Sequence, residues 1–332
     1  MSEGLRIYNL FPTLAGPIAG WTRELPRIAA MAFNAVYLNP FHYPGFSGSL
    51  YAVKDYYRLN PRFRGEAKGK DDALLRGFTE QARGHGLRVV MDLVVNHTAR
   101  DSELLARRPD WFTRDDDGEV VSPFAIDPAH PERKTVWGDL AELDYRPPQR
   151  DEIVAYFAEL VRHYVGLGFG GFRCDAAYKV PAAVWRRLIE AATSLDPDIL
   201  FLAETLGAPE ADVAALGDAG FDYLFNSVKW WDFESPWLLE QYEEFRHIAP
   251  SIGFPDASFT KIRMALLPAF AVFGSRTSTC RFCAAAGAGA PTGTRVGSPI
   301  LERAPFNRLS ESIMKFAAVT TCSPLFNPPS IA

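Results

Sequence analysis

Gly170-Gly171-Phe172-Arg173-Cys174-Asp175 is a short apolar run that ends in a carboxylate, and Phe201-Leu202-Ala203-Glu204 repeats the arrangement, its acid 29 positions after the first. Each run has the length of a buried strand, and each acid stands where the strand gives way to a loop. Working outward, strand-like and helix-like segments alternate. Ile7–Phe11 and Ala35–Leu38 are apolar runs separated by a helical stretch at Trp21–Met31. Asp71–Gly84 carries Leu74, Phe78 and Ala82 at a spacing of four and leads into Leu87–Val95. Asp151–Gly166, with Ile153, Phe157, Leu160 and Tyr164 on one face, leads into Gly170–Asp175. Pro181 suits the first turn of a helix through Trp185, Leu188 and Ile189, followed by Ile199–Ala203. Tyr223–Phe225 and Ser251–Phe254 read as two further strands with a helix at Pro236–His247 between them.

Seven strand–helix steps in one register predict an α/β protein with a parallel sheet and crossover helices. An eight-stranded (β/α)8 TIM barrel accounts best for acids gathered at the C-terminal ends of strands. A doubly wound open sheet is the alternative, weakened because no glycine-rich phosphate loop follows the first strand. Strands one to seven are recognisable by residue 255, so the barrel is expected to be incomplete. The rhythm breaks at 98–145 into a polar, Pro- and Asp-rich stretch, which predicts a small lobe inserted after strand three.

The 332 residues, 48% hydrophobic and 23% charged, belong to a soluble globular class. A net charge of −5 offers no attraction to nucleic acid or an anionic membrane. No run reaches the roughly 18 apolar residues of a membrane helix, and no secretory signal precedes Leu5, so the expected location is cytoplasmic. Nothing in the composition points to an oligomeric state. Cys280 and Cys283 form a lone C-x-x-C, but no His follows His247 to complete a zinc site. Cys174 reads as a small buried filler.

Past residue 256 the character changes. Residues 257–332 hold two acids, Glu302 and Glu311, against eight basic residues, and they lack Trp and Tyr while carrying three of the four cysteines. The chain therefore divides into a barrel over 1–256 and an atypical tail over 257–332, expected to be poorly packed with one helix near Leu309–Val319. The break fits a shifted reading frame, with strand eight and later sequence lost.

Paired acids with an Arg two residues before the first suit cleavage or transfer of a sugar bond, where one carboxylate attacks and the other holds a proton. The competing reading makes both acids strand-end caps or ion-pair partners. The order of three stretches, these two and one before them, decides between the readings. Asp-Leu-Val-Val-Asn-His at 92–97, Gly-Phe-Arg-Cys-Asp at 171–175 and Leu-Ala-Glu at 202–204 occur in order, each at the end of an expected strand. Over about residues 5–255 the chain resembles the α-amylase family, glycoside hydrolase family 13. Val36–Pro40, Tyr51–Tyr57 and Ser122–Pro128 are similar to bacterial intracellular members, among them relatives of maltosyltransferases that use maltose 1-phosphate.

The resemblance implies a barrel of α-amylase type and a retaining enzyme acting on an α-glucan or a small maltosyl compound. Asp175 would be the nucleophile and Glu204 the acid, then the base, so the site should raise the pKa of Glu204 relative to that of Asp175. Arg173 would stand beside Asp175 as its counter-charge, fixed by an ion pair with Asp92. His97 would contact a hydroxyl of the reacting sugar, and Tyr51, four residues before Asp55, would lie under that sugar as an aromatic platform. Lys179 would face glycan beyond the nucleophile, while Asn96 and Asp55 would brace the site. Asn96 matches a position that often ligates calcium, but further ligands cannot be named in 98–145, so no metal or other cofactor is expected. Trp230 and Trp231 fit outer sugar subsites or core. One departure stands out. The family's fourth signature predicts His at 258 and Asp at 259, where this chain has Ser258 and Phe259, with Asp256 three positions early. Losing a group that binds the developing transition state costs about 10²–10³-fold in rate. The alternative is therefore an impaired product, or a glycan-binding relative without turnover.

Overall fold

A computed structural model describes residues 4–127, 130–228, 231–232, 234–253 and 317–320. Trp230, Asp256, Ser258, Phe259, Cys280 and Cys283 lie outside the described residues. Eight parallel strands close into a ring. In chain order they are β1 (Arg6–Asn9), β2 (Ala35–Leu38), β3 (Arg88–Leu93), β4 (Gly171–Cys174), β5 (Leu200–Glu204), β6 (Tyr223–Phe225), β7 (Ser251–Gly253) and β8 (Ala317–Thr320). Seven of them are the strands read from the sequence. The eighth was not foreseen: Ala317–Thr320 pairs in parallel with β7 on one side and β1 on the other. Of the helix expected at Leu309–Val319, the residues that are described, 317–319, belong to this strand, so that expectation is corrected there. The Ala-Ala-Val-Thr run opens with two strong helix formers, and its parallel neighbours override that propensity.

Six helices return the chain between strands: α1 (Ile18–Ala30), α2 (Asp71–Gly84), α3 (Arg150–Gly166), α4 (Ala182–Thr193), α5 (Glu210–Ala214) and α6 (Trp237–Phe245). Their apolar stripes face the ring. On α2 the buried residues are Leu75, Phe78, Thr79 and Ala82, the i, i+3, i+4, i+7 face, while Leu74 sits at its edge. On α3, Ile153, Phe157, Leu160 and Tyr164 are all buried. None of the helices among the described residues is long and apolar enough to cross a membrane.

Strand alternation sorts side chains into two cores. Ile7, Ala35, Tyr37, Val90, Leu202, Phe225 and Ile252 fill the inside of the ring. Tyr8, Val36, Leu38, Met91, Phe172, Cys174, Phe201 and Ala203 point outward and meet the helices. Phe172 and Phe201 touch across β4 and β5 with ring centroids 5.1 Å apart. Truncating either to Ala would cost about 3–5 kcal/mol. Gly171 has no room for a side chain, because a Cβ would stand 2.9 Å from the Leu200 carbonyl oxygen.

Two additions rise from the C-terminal rim. After β2 a hairpin pairs His42–Pro44 with Val53–Leu59. His42 is buried in an aromatic nest, stacked on Phe41 at 4.8 Å and edge-on to Tyr56 and Tyr164 at 5.6 and 5.5 Å. Neither of its ring nitrogens has a hydrogen-bond partner. After β3 the chain leaves the barrel to form paired strands His97–Ala99 with Leu140–Glu142, and a hairpin of Phe124–Asp127 with His130–Val136. The loop at 94–97, where this excursion begins, is held from two sides: Tyr56 of the first hairpin donates its hydroxyl to the Val94 carbonyl, while at the far end of the excursion Tyr145 donates to the Val95 carbonyl and the Leu143 amide to that of Asn96.

Candidate active site

Register places the charged residues before any side chain is considered. Asp92 on β3 is the direct partner of Arg173 on β4, and Arg173 that of Leu202 on β5. Leu202 faces the inside of the ring, so Asp92 and Arg173 face it too. Asp175 is two residues beyond Arg173 and Glu204 two beyond Leu202, so both carboxylates return to the inner face one step higher, at the C-terminal rim.

Arg173 is the hub. Its Nη1 donates to Asp92 Oδ1 at 2.9 Å and to Asp175 Oδ1 at 2.7 Å, and its Nη2 lies 3.8 Å from Glu204 Oε2. Burial alone would lower the pKa of the guanidinium, but Asp92, the tyrosines and Asp175 hold it well above the usual value, so it remains a cation. A planar fork can serve two carboxylates at fixed angles, which an ammonium cannot. Asp92 is fully buried and also accepts from the hydroxyls of Tyr37 and Tyr51, the latter at 2.9 Å. Burial lifts its pKa to about 6 against the pull of Arg173. Asn39 donates to both phenol oxygens and accepts from Asn9, extending the network to β1.

Glu204 is mostly enclosed, and burial raises its pKa, opposed by Arg173 and reinforced by Asp175. Its Oε2 accepts the backbone N–H of Ala176 at 2.8 Å. Ala176 adopts a left-handed backbone, φ 40° and ψ 49°. That conformation costs a residue with a Cβ about 1–2 kcal/mol and turns the chain sharply after Asp175. The Asp175 amide is itself held by the Leu93 carbonyl at 3.0 Å.

The remaining expected residues divide. The His97 ring is buried, its Nε2 lies 3.2 Å from the Tyr51 carbonyl oxygen, and burial lowers its pKa. Tyr51 stands with its ring centroid 6.0 Å from the Arg173 guanidinium, beside the acids. Lys179, in the helical turn Ala177–Lys179, donates to the Phe124 carbonyl at 2.8 Å. Burial lowers its pKa, against the pull of Glu142, Asp175 and Glu204. Asn96 donates to the Asp175 carbonyl at 3.4 Å, but its Oδ1 is buried without a partner. That amide oxygen is a ligand of the kind calcium takes, and among the described residues no group of three or more His, Cys, Asp or Glu is placed to hold a metal. Asp55 is not part of the cluster: its carboxylate accepts the Tyr57 amide on the outer hairpin. Trp231 donates its indole N–H to the Ser235 carbonyl.

Sequence reasoning passed over Tyr37, Asn39 and Ala176. Tyr37 was findable, since alternation from Ala35 turns it inward beside Asp92. A left-handed alanine leaves no mark in a sequence.

The model of the glycogen debranching enzyme glucanotransferase domain matches residues 1–114. The chain is 29% identical over 252 residues to an α-1,4-glucan:maltose-1-phosphate maltosyltransferase of Burkholderia pseudomallei, covering 76% of this chain and 21% of that protein. It is 30% identical over 240 residues to the enzyme of that name from Myxococcus xanthus, covering 68% and 34%. It thus spans a fifth to a third of the length of these two relatives. An α-amylase from Lactobacillus plantarum superposes with a TM-score of 0.61 at 25% identity, over 76% of this chain and 62% of that one. With this likeness in sequence and this barrel, the chain is a relative of the α-amylase family, glycoside hydrolase family 13.

Proposed function

We propose that this chain carries the catalytic core of a retaining enzyme that hydrolyses or transfers α-linked glucosyl units, with Asp175 as nucleophile and Glu204 as acid and base. One observation carries the reading: a single guanidinium engages Asp175 and reaches Glu204, with both carboxylates at one level on adjacent strands. Neighbouring parallel strands lie about 4.8 Å apart. That spacing supports the roughly 5–5.5 Å carboxyl separation of retaining enzymes over the roughly 6.5–9.5 Å of inverting ones.

In the first step the protonated Glu204 gives its proton to the glycosidic oxygen as that bond breaks. The free oxygen of Asp175, the one not held by Arg173, bonds to the anomeric carbon from the opposite face. Glu204, now ionised, then takes a proton from water or a sugar hydroxyl, whose oxygen displaces Asp175. Tyr51 and His97 would hold the reacting sugar, and Asp92 would hold Arg173 in place. The names of the sequence relatives support an α-1,4-glucan or a maltosyl compound as donor.

The test is turnover of maltooligosaccharides and of maltose 1-phosphate, with and without a glucan acceptor, with the product anomer read by NMR. Retention of the α-configuration, abolished by Asp175→Ala, is the expected result; a β-product would overturn the reading. A second reading rests on Ser258 and Phe259, which stand where the family resemblance calls for His and Asp. It holds that the chain binds glucan without appreciable turnover, and an ordinary rate abolished by Asp175→Ala would end it.

A further inference from the structure

By alternation from Ile7 and Tyr37, Asn9 and Asn39 both face the inside of the ring, and both are half-buried. Asn9 is the direct partner of Tyr37 across β1 and β2. Their neutral amides stand behind Asp92, whose Oδ2 takes the hydroxyls of Tyr37 and Tyr51 and whose Oδ1 takes Arg173 Nη1. A phenol has one hydrogen, so each of these two reaches Asp92 only while no other acceptor competes for it. A competitor stands beside them: the Asn39 amide lies 3.2 Å from the Tyr37 hydroxyl oxygen and 3.1 Å from that of Tyr51. With its nitrogen toward them it donates one hydrogen to each. With its oxygen toward them it would draw a hydrogen away from Asp92.

Which way Asn39 faces is decided outside the acid cluster. A main-chain carbonyl only accepts, and that of Tyr37 takes the Leu10 N–H at 2.9 Å and the Asn9 amide nitrogen at 3.2 Å. Asn9 must therefore present its nitrogen here, and the second hydrogen of that nitrogen goes to Asn39 Oδ1 at 2.8 Å. Asn39 is left with its own nitrogen toward the phenols. Donation then runs one way, from Asn9 through Asn39 and two phenols into Asp92. The groups facing Asp92 are Tyr37 from β2, Tyr51 from the hairpin, Arg173 from β4 and, beyond it, Asp175.

We infer that Asn9 and Asn39 are positioning residues: the Tyr37 carbonyl orients Asn9, Asn9 orients Asn39, and Asn39 so oriented leaves both phenol hydrogens to Asp92, which keeps Arg173 on Asp175. The inference rests on the reading of Asp175 as nucleophile and deepens it.

The test follows the Asp92 carboxyl carbon of the full chain by NMR across pH, its resonance assigned by its loss in Asp92→Asn, beside the pH profile of kcat on maltooligosaccharides. In the parent, burial raises Asp92 to about 6. Asn9→Ala frees the Asn39 amide to turn, which favours the protonated carboxyl because the turned oxygen then takes a phenol hydrogen. The midpoint should move to a proton concentration lower by about three- to tenfold, the scale of one hydrogen bond. The acid limb of kcat should move with it, while KM and the rate at higher pH hold. Asn39→Ala removes the competing oxygen along with the donor, so its midpoint should stay at that of the parent. Adding Asn9→Ala to Asn39→Ala should then change nothing. Asn39→Leu, nearer in volume, takes the place of Asn39→Ala if that variant does not fold. A purely structural role would make the two substitutions add. Additive shifts, or an Asn9→Ala midpoint equal to that of the parent, would overturn the inference. If the parent shows no turnover, the nucleophile reading falls, and the titrations still decide which way the network runs.

Discussion

His42 offers the sharpest physical test of the fold. In the unfolded chain an imidazole titrates near 6.5, and in the aromatic nest burial holds it down to about 3. The folded value is the lower one, so between the two the unfolded chain binds more protons. Stability contributed by the neutral ring is complete above pH 6.5 and is lost as pH falls toward 3. At pH 5 the deficit spans about 1.5 pH units, or about 2 kcal/mol at roughly 1.4 kcal/mol per unit. The groups facing the ring are Phe41, Tyr56 and Tyr164, with no carboxylate among them to offset the charge. His42→Phe removes the titration and keeps an aromatic ring. Urea unfolding of both proteins at about pH 7.5 and about pH 5 gives the quantity needed, which is the change with pH rather than either stability alone. Any packing difference between the rings cancels in that comparison. The parent should lose about 2 kcal/mol more than the variant across the interval. Equal losses would show that His42 finds a partner or water when charged, and would refute the reasoning.

Three substitutions test the acid cluster and its support. Arg173→Lys keeps a cation but loses the fork, so kcat on maltooligosaccharides should fall by about 10²-fold or more, with a lower Tm by calorimetry. Asp92→Asn removes one partner of a buried ion pair and should cost about 3–5 kcal/mol in urea unfolding, although Tyr37 and Tyr51 keep an acceptor. Ala176→Gly should leave thermal stability equal or higher by up to about 1 kcal/mol, because glycine accepts the left-handed backbone, whereas Ala176→Val should lower it by about 1–3 kcal/mol.

Most of the barrel was legible because buried parallel strands are written as short apolar runs, and each of the seven found is bounded by turn residues or by an acid. Tyr223–Phe225 and Ala35–Leu38 were legible to the residue. Ala317–Thr320 was not, since four small residues acquire strand geometry only from β1 and β7 beside them. Within the site, Asp92, Arg173, Asp175 and Glu204 were legible as strand-end charges, and alternation alone brings them to one face. The resemblance made Asp55 a brace of the site, yet on the outer hairpin its carboxylate accepts the amide of Tyr57, two residues on. What joins residues across loops, such as Lys179 to Phe124 or Ala176 to Glu204, depends on backbone direction after the strand and carries no periodic signal.

The loop at 94–97 bears on time as well as place. Its carbonyls are taken by Tyr56 of the first hairpin on one side and by Tyr145 and the Leu143 amide, at the far end of the lobe, on the other. Swinging the end of the lobe away from this loop would strip two buried acceptors together, at about 1–3 kcal/mol each. A motion with that barrier is a rare sub-global opening rather than a breathing mode. The lobe is therefore fixed against the C-terminal rim of the barrel. Amides along His97–Ala99 and Leu140–Glu142 should exchange with solvent as slowly as those of the barrel strands. On the glucan reading proposed above, arrival and departure of a sugar at Asp175 and Glu204 should then show no step limited by hinge motion of the lobe.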